Sequence, residues 1–138
     1  MFNKTYEQRL QAWSDFRNDL ETVEDPYQSV CDFFQYAPLV NYQADPYDPE
    51  SWPTPWELIK ENIYCPFVKI LAICYTLQLT DRFSGVDFEI HITHNEEDII
   101  YLLTVNGRCM GYDLDVISTD DIPKNLTYEK TYTMPDLC

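Results

Sequence analysis

The stretch that decides the fold runs from Cys65 to Leu79 and reads Cys-Pro-Phe-Val-Lys-Ile-Leu-Ala-Ile-Cys-Tyr-Thr-Leu-Gln-Leu. Pro66 suits the first position of a helix, where a missing N–H costs nothing, and this makes Cys65 the N-cap. Lys69 and Gln78 are the plainly polar side chains before the last turn. A helix that is apolar on nearly every side is buried by neighbours on several sides, so we expect a central helix.

Three further helices are predicted upstream of this stretch. Thr5-Tyr6-Glu7-Gln8 has the form of a capping box, in which the side chains of the first and last residues satisfy each other's backbone N–H groups. Asp25-Pro26 and Thr54-Pro55 repeat the start signal of a capping side chain followed by proline. The predicted helices span about residues 5–23, 25–37 and 54–63.

Between the second and third of these helices, residues 39–54 are rich in proline, which forbids a regular strand ladder. The segment is predicted to be an ordered aromatic loop. Tyr42, Tyr47 and Trp52 lie within it and Trp56 follows it, and these residue types are enriched where protein surfaces meet. We therefore predict an interaction surface here. The alternative is a loop folded onto its own core.

Downstream, the period of the apolar residues changes from helical spacing to two. Gly85 is predicted to cap the central helix in a left-handed conformation. Phe88 to Thr93 alternates as in a half-buried strand, and Asn106-Gly107 is typical of a type I′ hairpin turn. The predicted strands are Phe88–Thr93, Ile99–Val105, Arg108–Tyr112 and Leu126–Tyr132.

Together these elements predict the α+β class. N-terminal helices and a buried central helix pack on a C-terminal antiparallel β-meander of three to four strands. At 138 residues the chain has room for one domain, 1–138, in which residues 5–84 are mainly helical and residues 86–133 form the sheet.

The charge balance narrows the classes of partner. The chain holds 24 Asp and Glu against 9 Lys and Arg, a formal net charge of -15. Such a charge repels phosphate backbones and anionic membranes, so we expect no direct binding of nucleic acid or membrane. No apolar run suits a signal peptide or a transmembrane helix. Five scattered cysteines without a CxxC pair are typical of free thiols in a reducing cytosol.

One cysteine has a context that favours reactivity. At the predicted helix start, unpaired N–H groups and the helix dipole favour the thiolate of Cys65. His91 and His94 follow on a strand, and Asp113 and Asp115 come after the hairpin. Alternation places His94 on the same face as Ile90 and Ile92, and turns His91 away.

This order of Cys, His and Asp resembles the transglutaminase and papain-like thiol enzymes. The resemblance implies Cys65 as nucleophile, His94 as base, and Asp113 or Asp115 as the residue that orients the base. The alternative is that Cys65 is a semi-buried cap and both histidines are ordinary strand residues.

Neither a metal nor a cofactor is predicted. His91 and His94 are an odd number of residues apart, which sends their rings to opposite faces of a regular strand. The three glycines form no phosphate-binding loop.

The acidic residues supply the second functional hypothesis. Glu96, Glu97 and Asp98 form one of several acidic clusters, and carboxylates on a surface can occupy a basic groove of another protein. The alternative is that the surplus charge only maintains solubility.

The run from Trp52 to Leu79, together with Phe88 to Ile92, resembles small proteins encoded by tailed myophages of marine cyanobacteria. The resemblance implies a phage origin and a location in the bacterial host cytoplasm or in the virion, and it nominates no catalytic residue. We therefore expect a non-enzymatic acidic phage accessory or virion-associated protein. It would act through protein–protein contacts, with a host or phage partner that has a basic surface. The alternative is the thiol acyl-transfer enzyme.

Overall fold

The computed structural model describes residues 1–39, 44–112 and 115–135, and it confirms the α+β class. The helices are α1 (Tyr6–Leu20), α2 (Pro26–Phe34), α3 (Pro55–Glu61) and α4 (Pro66–Gln78). The strands are β1 (Glu89–His94), β2 (Ile99–Val105), β3 (Arg108–Met110), β4 (Val116–Ser118) and β5 (Thr127–Thr133). None of the helices in the described part of the chain is long and apolar enough to cross a membrane.

The helices begin where their capping side chains predict. The Thr5 hydroxyl accepts the backbone N–H of Gln8, and the Gln8 side chain accepts the N–H of Thr5. Thr54 and Glu57 make the same reciprocal pair at the start of α3. Because these bonds involve residues three apart, the sequence alone locates them.

The central helix α4 is the body of the core. Every residue from Phe67 to Gln78 is buried, and α4 packs against α2 on one side and β2 on another. The Trp13 indole N–H of α1 donates to the Thr76 hydroxyl of α4 at 3.0 Å. A helix without a polar face is thus enclosed on several sides, as predicted.

The predicted end of α4 is wrong. The helix ends at Gln78, because Thr80 adopts an extended backbone and its hydroxyl donates to the carbonyl of Leu77 at 2.7 Å. Gly85 is left-handed, with φ of 74°, but it follows a short 3₁₀ helix at Asp81–Phe83 and does not cap α4. Thr80 therefore ends the helix, a role that the sequence predicts for Gly85.

The sheet has five antiparallel strands in the spatial order β4-β3-β2-β1-β5. Strands β1 to β4 form a meander, and the chain then returns to the opposite edge, where β5 pairs with β1. On its way it crosses the sheet face that is turned away from the helices, where Ile122 and Leu126 pack with Leu102 and Cys109. Strand β4 was not predicted, and it extends the expected three or four strands to five.

Several basic side chains hold the ends of helices. Their long arms reach backbone carbonyls that the last helical turn leaves unpaired, at the end where the helix dipole is negative. Arg9 donates to Ile59 and Lys60 of α3, Lys69 donates to Gln35 after α2, and Arg82 donates to Leu20 and Val23 at the end of α1. Three of the nine Lys and Arg residues therefore donate to backbone carbonyls at helix ends.

Candidate functional site

The candidate site is an exposed surface at the turn between β1 and β2. We call it the Ile99 face, and it comprises Leu39, Tyr47, Glu96, Glu97, Asp98, Ile99 and Glu129. Ile99 is 61% exposed, and Leu39 and Tyr47 are each 55% exposed. Two clefts, of about 420 and 360 Å³, adjoin there and share Asp98 and Ile99 in their walls.

The turn that presents Ile99 is held by its own hydrogen bonds. The Asn95 side-chain oxygen accepts the backbone N–H groups of Glu97, at 2.8 Å, and Asp98, at 2.7 Å. The Asn95 N–H in turn donates to the Asp98 carbonyl at 3.0 Å. An Asx turn of this kind fixes the backbone before β2 begins, so Ile99 is displayed on a pre-ordered support.

The larger cleft is mainly apolar and lies between the start of α4 and the sheet. Its lining consists of Leu39, Pro66, Lys69, Ile70, residues 98–101, Gly111 and Tyr112. The Lys69 ammonium is bonded to the Gln35 carbonyl at 3.2 Å, so its hydrocarbon arm is the part that is free to line this cleft. The cleft therefore suits an apolar side chain.

Gly111 shapes the floor of this apolar cleft. Its φ is 111°, a conformation that other residues rarely adopt. A Cβ atom at this position would lie 2.4 Å from the Tyr101 carbonyl oxygen and 2.8 Å from the Ile70 Cδ1 atom. Only glycine allows the end of β3 to pass so close to β2 and α4.

The smaller cleft is acidic. Residues 92–99 line it together with Tyr47 and Glu129. Glu96, Glu97 and Asp98 are exposed, and none of the three forms an ion pair with a lysine or arginine among the described residues. Glu129 lies where the β1–β5 register shifts, and its carboxylate is 2.5 Å from the His94 Nε2 atom. Glu96, Glu97 and Asp98 therefore present their carboxylates to the solvent, whereas Glu129 is paired with His94.

The aromatic residues predicted as one surface lie in three places. Tyr47 is exposed and lines the acidic cleft. Trp52 is folded onto the core, where its indole N–H donates to the Asp45 carbonyl at 2.9 Å and its ring packs against Phe67. Trp56 lies on α3 and is 51% exposed.

Trp56 packs at the end of the molecule where α1 and α3 meet. Its ring contacts Trp13 edge-on, with 5.5 Å between the ring centroids, and the Arg17 guanidinium lies over both rings. Tyr42 lies outside the described residues. The alternative of a loop folded onto its own core thus fits Trp52, whereas Tyr47 remains available for contact.

The residues of the thiol-enzyme hypothesis are not brought together within the described chain. Cys65 is the N-cap of α4 but is only 3% exposed. The ring nitrogens of His94 have other partners, the Glu129 carboxylate and, at 3.3 Å, the Asn95 carbonyl oxygen. Asp115 is exposed, and Asp113 lies outside the described residues. The thiol chemistry stays a prediction.

His91 has a structural environment. It is buried on the sheet face away from the helices, as the alternation predicts, and both ring nitrogens lie 2.8 Å from threonine hydroxyls, those of Thr131 and Thr104. The Tyr128 ring packs edge-on against it, with 5.4 Å between the centroids. Burial lowers the pKa of His91, while Glu89 has a smaller effect in the opposite direction. The ring is therefore held in its neutral form.

The remaining described thiols are buried and weakly acidic. Burial is the main cause that raises the pKa of Cys31 to about 12 and that of Cys109 to about 11, and it also raises the pKa of Cys74. No group of three or more His, Cys, Asp or Glu side chains in the described ranges is placed to hold a metal ion.

The comparisons with known proteins give no functional guide. No family model matches the chain, and neither a curated protein nor a solved structure matches it significantly.

Proposed function

We propose that this chain is a non-enzymatic acidic protein that acts through protein–protein contact, and that the Ile99 face is its contact surface. The observation that carries the proposal is the position of three exposed large side chains, Leu39, Tyr47 and Ile99. They lie beside Glu96, Glu97 and Asp98, which have no lysine or arginine partner among the described residues. An apolar centre with a polar rim is the usual anatomy of a protein interface.

The proposed partner has a basic surface. The net charge is -15, and Arg9, Lys69 and Arg82 donate to backbone carbonyls. Glu96, Glu97 and Asp98 at the β1–β2 turn have no lysine or arginine partner among the described residues. Complementary charge speeds association and rejects wrong partners, while the buried apolar contacts supply much of the affinity. This division of roles matches the two clefts.

The resemblance to proteins of tailed myophages supports a phage accessory or virion-associated role. The host cytoplasm or the assembled virion would then be where the partner is met. Mass spectrometry of purified virions separates these two settings. Copies present at a constant ratio to the capsid protein would indicate a virion component, and absence from virions would indicate a role inside the infected cell.

The experiment that tests the contact surface is capture from host and infected-cell lysates with matched variants. The Glu96→Gln/Glu97→Gln double variant removes two charges at the Ile99 face. The Asp120→Asn/Asp121→Asn variant removes two exposed charges near Gly107, beyond the opposite end of β2. Ile99→Ser removes the apolar centre.

We expect a specific partner that is lost with the first double variant and with Ile99→Ser, and retained with the second double variant. Binding should also weaken as salt rises, because exposed charges more than about 10 Å apart are screened at 0.1 M ionic strength. If both double variants reduce the amount of captured partner equally and Ile99→Ser leaves it unchanged, the Ile99 face is excluded as the contact surface.

A further inference from the structure

We infer that the occupant of the Ile99 face is an extended basic segment of the partner, an inference that rests on the proposed function. The segment places one aliphatic or aromatic side chain in the apolar cleft and a lysine or arginine in the acidic cleft.

The adjacency of the clefts determines the spacing of the ligand's side chains. Both clefts have Asp98 and Ile99 in their walls, so a ligand that fills both passes over these two residues. In an extended chain, side chains on one side recur every second residue, about 6–7 Å apart. The apolar and the basic side chain are therefore expected about two residues apart.

The chemistry of the two clefts assigns the side chains. The apolar cleft has Ile70 and Tyr101 in its lining, and Lys69, the one cation among the described residues that line it, is bonded to the Gln35 carbonyl. The acidic cleft is lined by Glu96, Glu97 and the shared Asp98, and by Glu129, whose carboxylate is paired with His94. A cation gains from the second cleft and loses solvation in the first, so the basic side chain is assigned to the acidic cleft and the apolar side chain to the other.

Charge also excludes the other occupants of an exposed apolar surface. A second copy of this chain would bring a further net charge of -15 against an acidic rim, which opposes self-association. Anionic membranes and nucleic acids meet the same repulsion. A basic polypeptide complements both the rim and the apolar centre.

The test is a titration of the isotopically labelled full chain with synthetic peptides, followed by amide chemical shifts in NMR spectra. The probe is a short glycine-serine peptide that carries one leucine flanked by arginines two residues away. Its two controls replace the leucine with serine or the arginines with glutamine.

We expect the probe to shift the amide signals of Leu39, Ile99 and Gly111 more than those on the far side of the molecule. We expect the serine control to bind about tenfold more weakly, because burial of a leucine side chain contributes at least this factor. The Ile99→Ser and Glu96→Gln/Glu97→Gln variants should bind the probe more weakly than wild type, and the Asp120→Asn/Asp121→Asn variant should bind it as wild type does. The spectra themselves show whether each variant is folded.

Two outcomes overturn the inference. Equal binding of the probe and the serine control would show diffuse charge attraction only, and the absence of shifts at the Ile99 face would show no binding there. If lysate capture still depends on Ile99 while the peptides fail, the partner uses a folded surface and the proposed function stands. If capture is also independent of Ile99, both proposals fail.

Discussion

Substitution of Thr76 by valine tests the contact that holds α1 against the central helix. Trp13 is 1% exposed and Thr76 is fully buried, and the indole N–H donates to the Thr76 hydroxyl at 3.0 Å. Valine keeps the shape of threonine but accepts no hydrogen bond. The Thr76 hydroxyl also donates to the Ala72 carbonyl at 2.6 Å, and this carbonyl keeps its backbone partner within the helix.

The expected loss follows from the indole N–H that stays buried without a partner. An unsatisfied buried donor costs about 1–3 kcal/mol, and the buried methyl group of valine offsets a part of this cost. We expect the free energy of unfolding to fall by about 1–2 kcal/mol. With a urea dependence of about 2 kcal/mol per molar, the unfolding midpoint falls by roughly 0.5–1 M.

The assay is urea unfolding monitored by far-ultraviolet circular dichroism for wild type, Thr76→Val, Trp13→Phe and the double variant. In the Trp13→Phe background the donor is gone, so Thr76→Val should cost close to nothing. The two substitutions should therefore couple by about 1 kcal/mol or more. Costs that add to within about 0.5 kcal/mol would refute the view that this hydrogen bond ties α1 to α4.

Three further predictions concern single residues. Burial lowers the pKa of His91 in the folded state, so the unfolded chain binds a proton more readily. The difference in unfolding free energy between wild type and His91→Gln should therefore shrink as pH falls below about 6.5. Urea unfolding at several pH values measures this difference, and a constant value would contradict the prediction. Gly111→Ala forces a Cβ atom against the Tyr101 carbonyl, so we expect the free energy of unfolding to fall by more than about 1 kcal/mol. An unchanged melting temperature would contradict the close approach of Gly111 to β2. Cys65 should react with iodoacetamide far more slowly in the native chain than in urea, as peptide mapping would show; rapid native labelling would instead favour the thiol enzyme.

The helix starts and the hairpin turn were predictable because their signals are local. Thr5 with Gln8 and Thr54 with Glu57 each bond within four residues, and Asn106-Gly107 forms its turn with both residues at positive φ. The buried central helix was predictable from its composition alone. The alternation along β1 also placed His91 on the correct face of the sheet.

The features that were missed depend on contacts between distant parts of the chain. Strand β4 has three residues and exists through its pairing with β3, and β5 lies beside β1 although about 40 residues separate them. His94 meets Glu129 only because of that pairing. Ile99 and Tyr101 are two residues apart, so the alternation along β2 predicts that both face inward. Ile99 is exposed because of where α4 begins, and the sequence of β2 carries no signal for that position.

Basic side chains bind the ends of helices, and this gives folding stability and partner binding opposite responses to ionic strength. Arg9 and Lys69 donate to backbone carbonyls from buried positions, where dissolved ions screen them least. The carboxylates outside repel one another across open solvent, so added electrolyte should relax that repulsion and make the chain harder to unfold. The same salt should weaken binding to the proposed basic partner. If that proposal holds, the ionic strength at which the chain is most stable is also the one at which it binds most weakly.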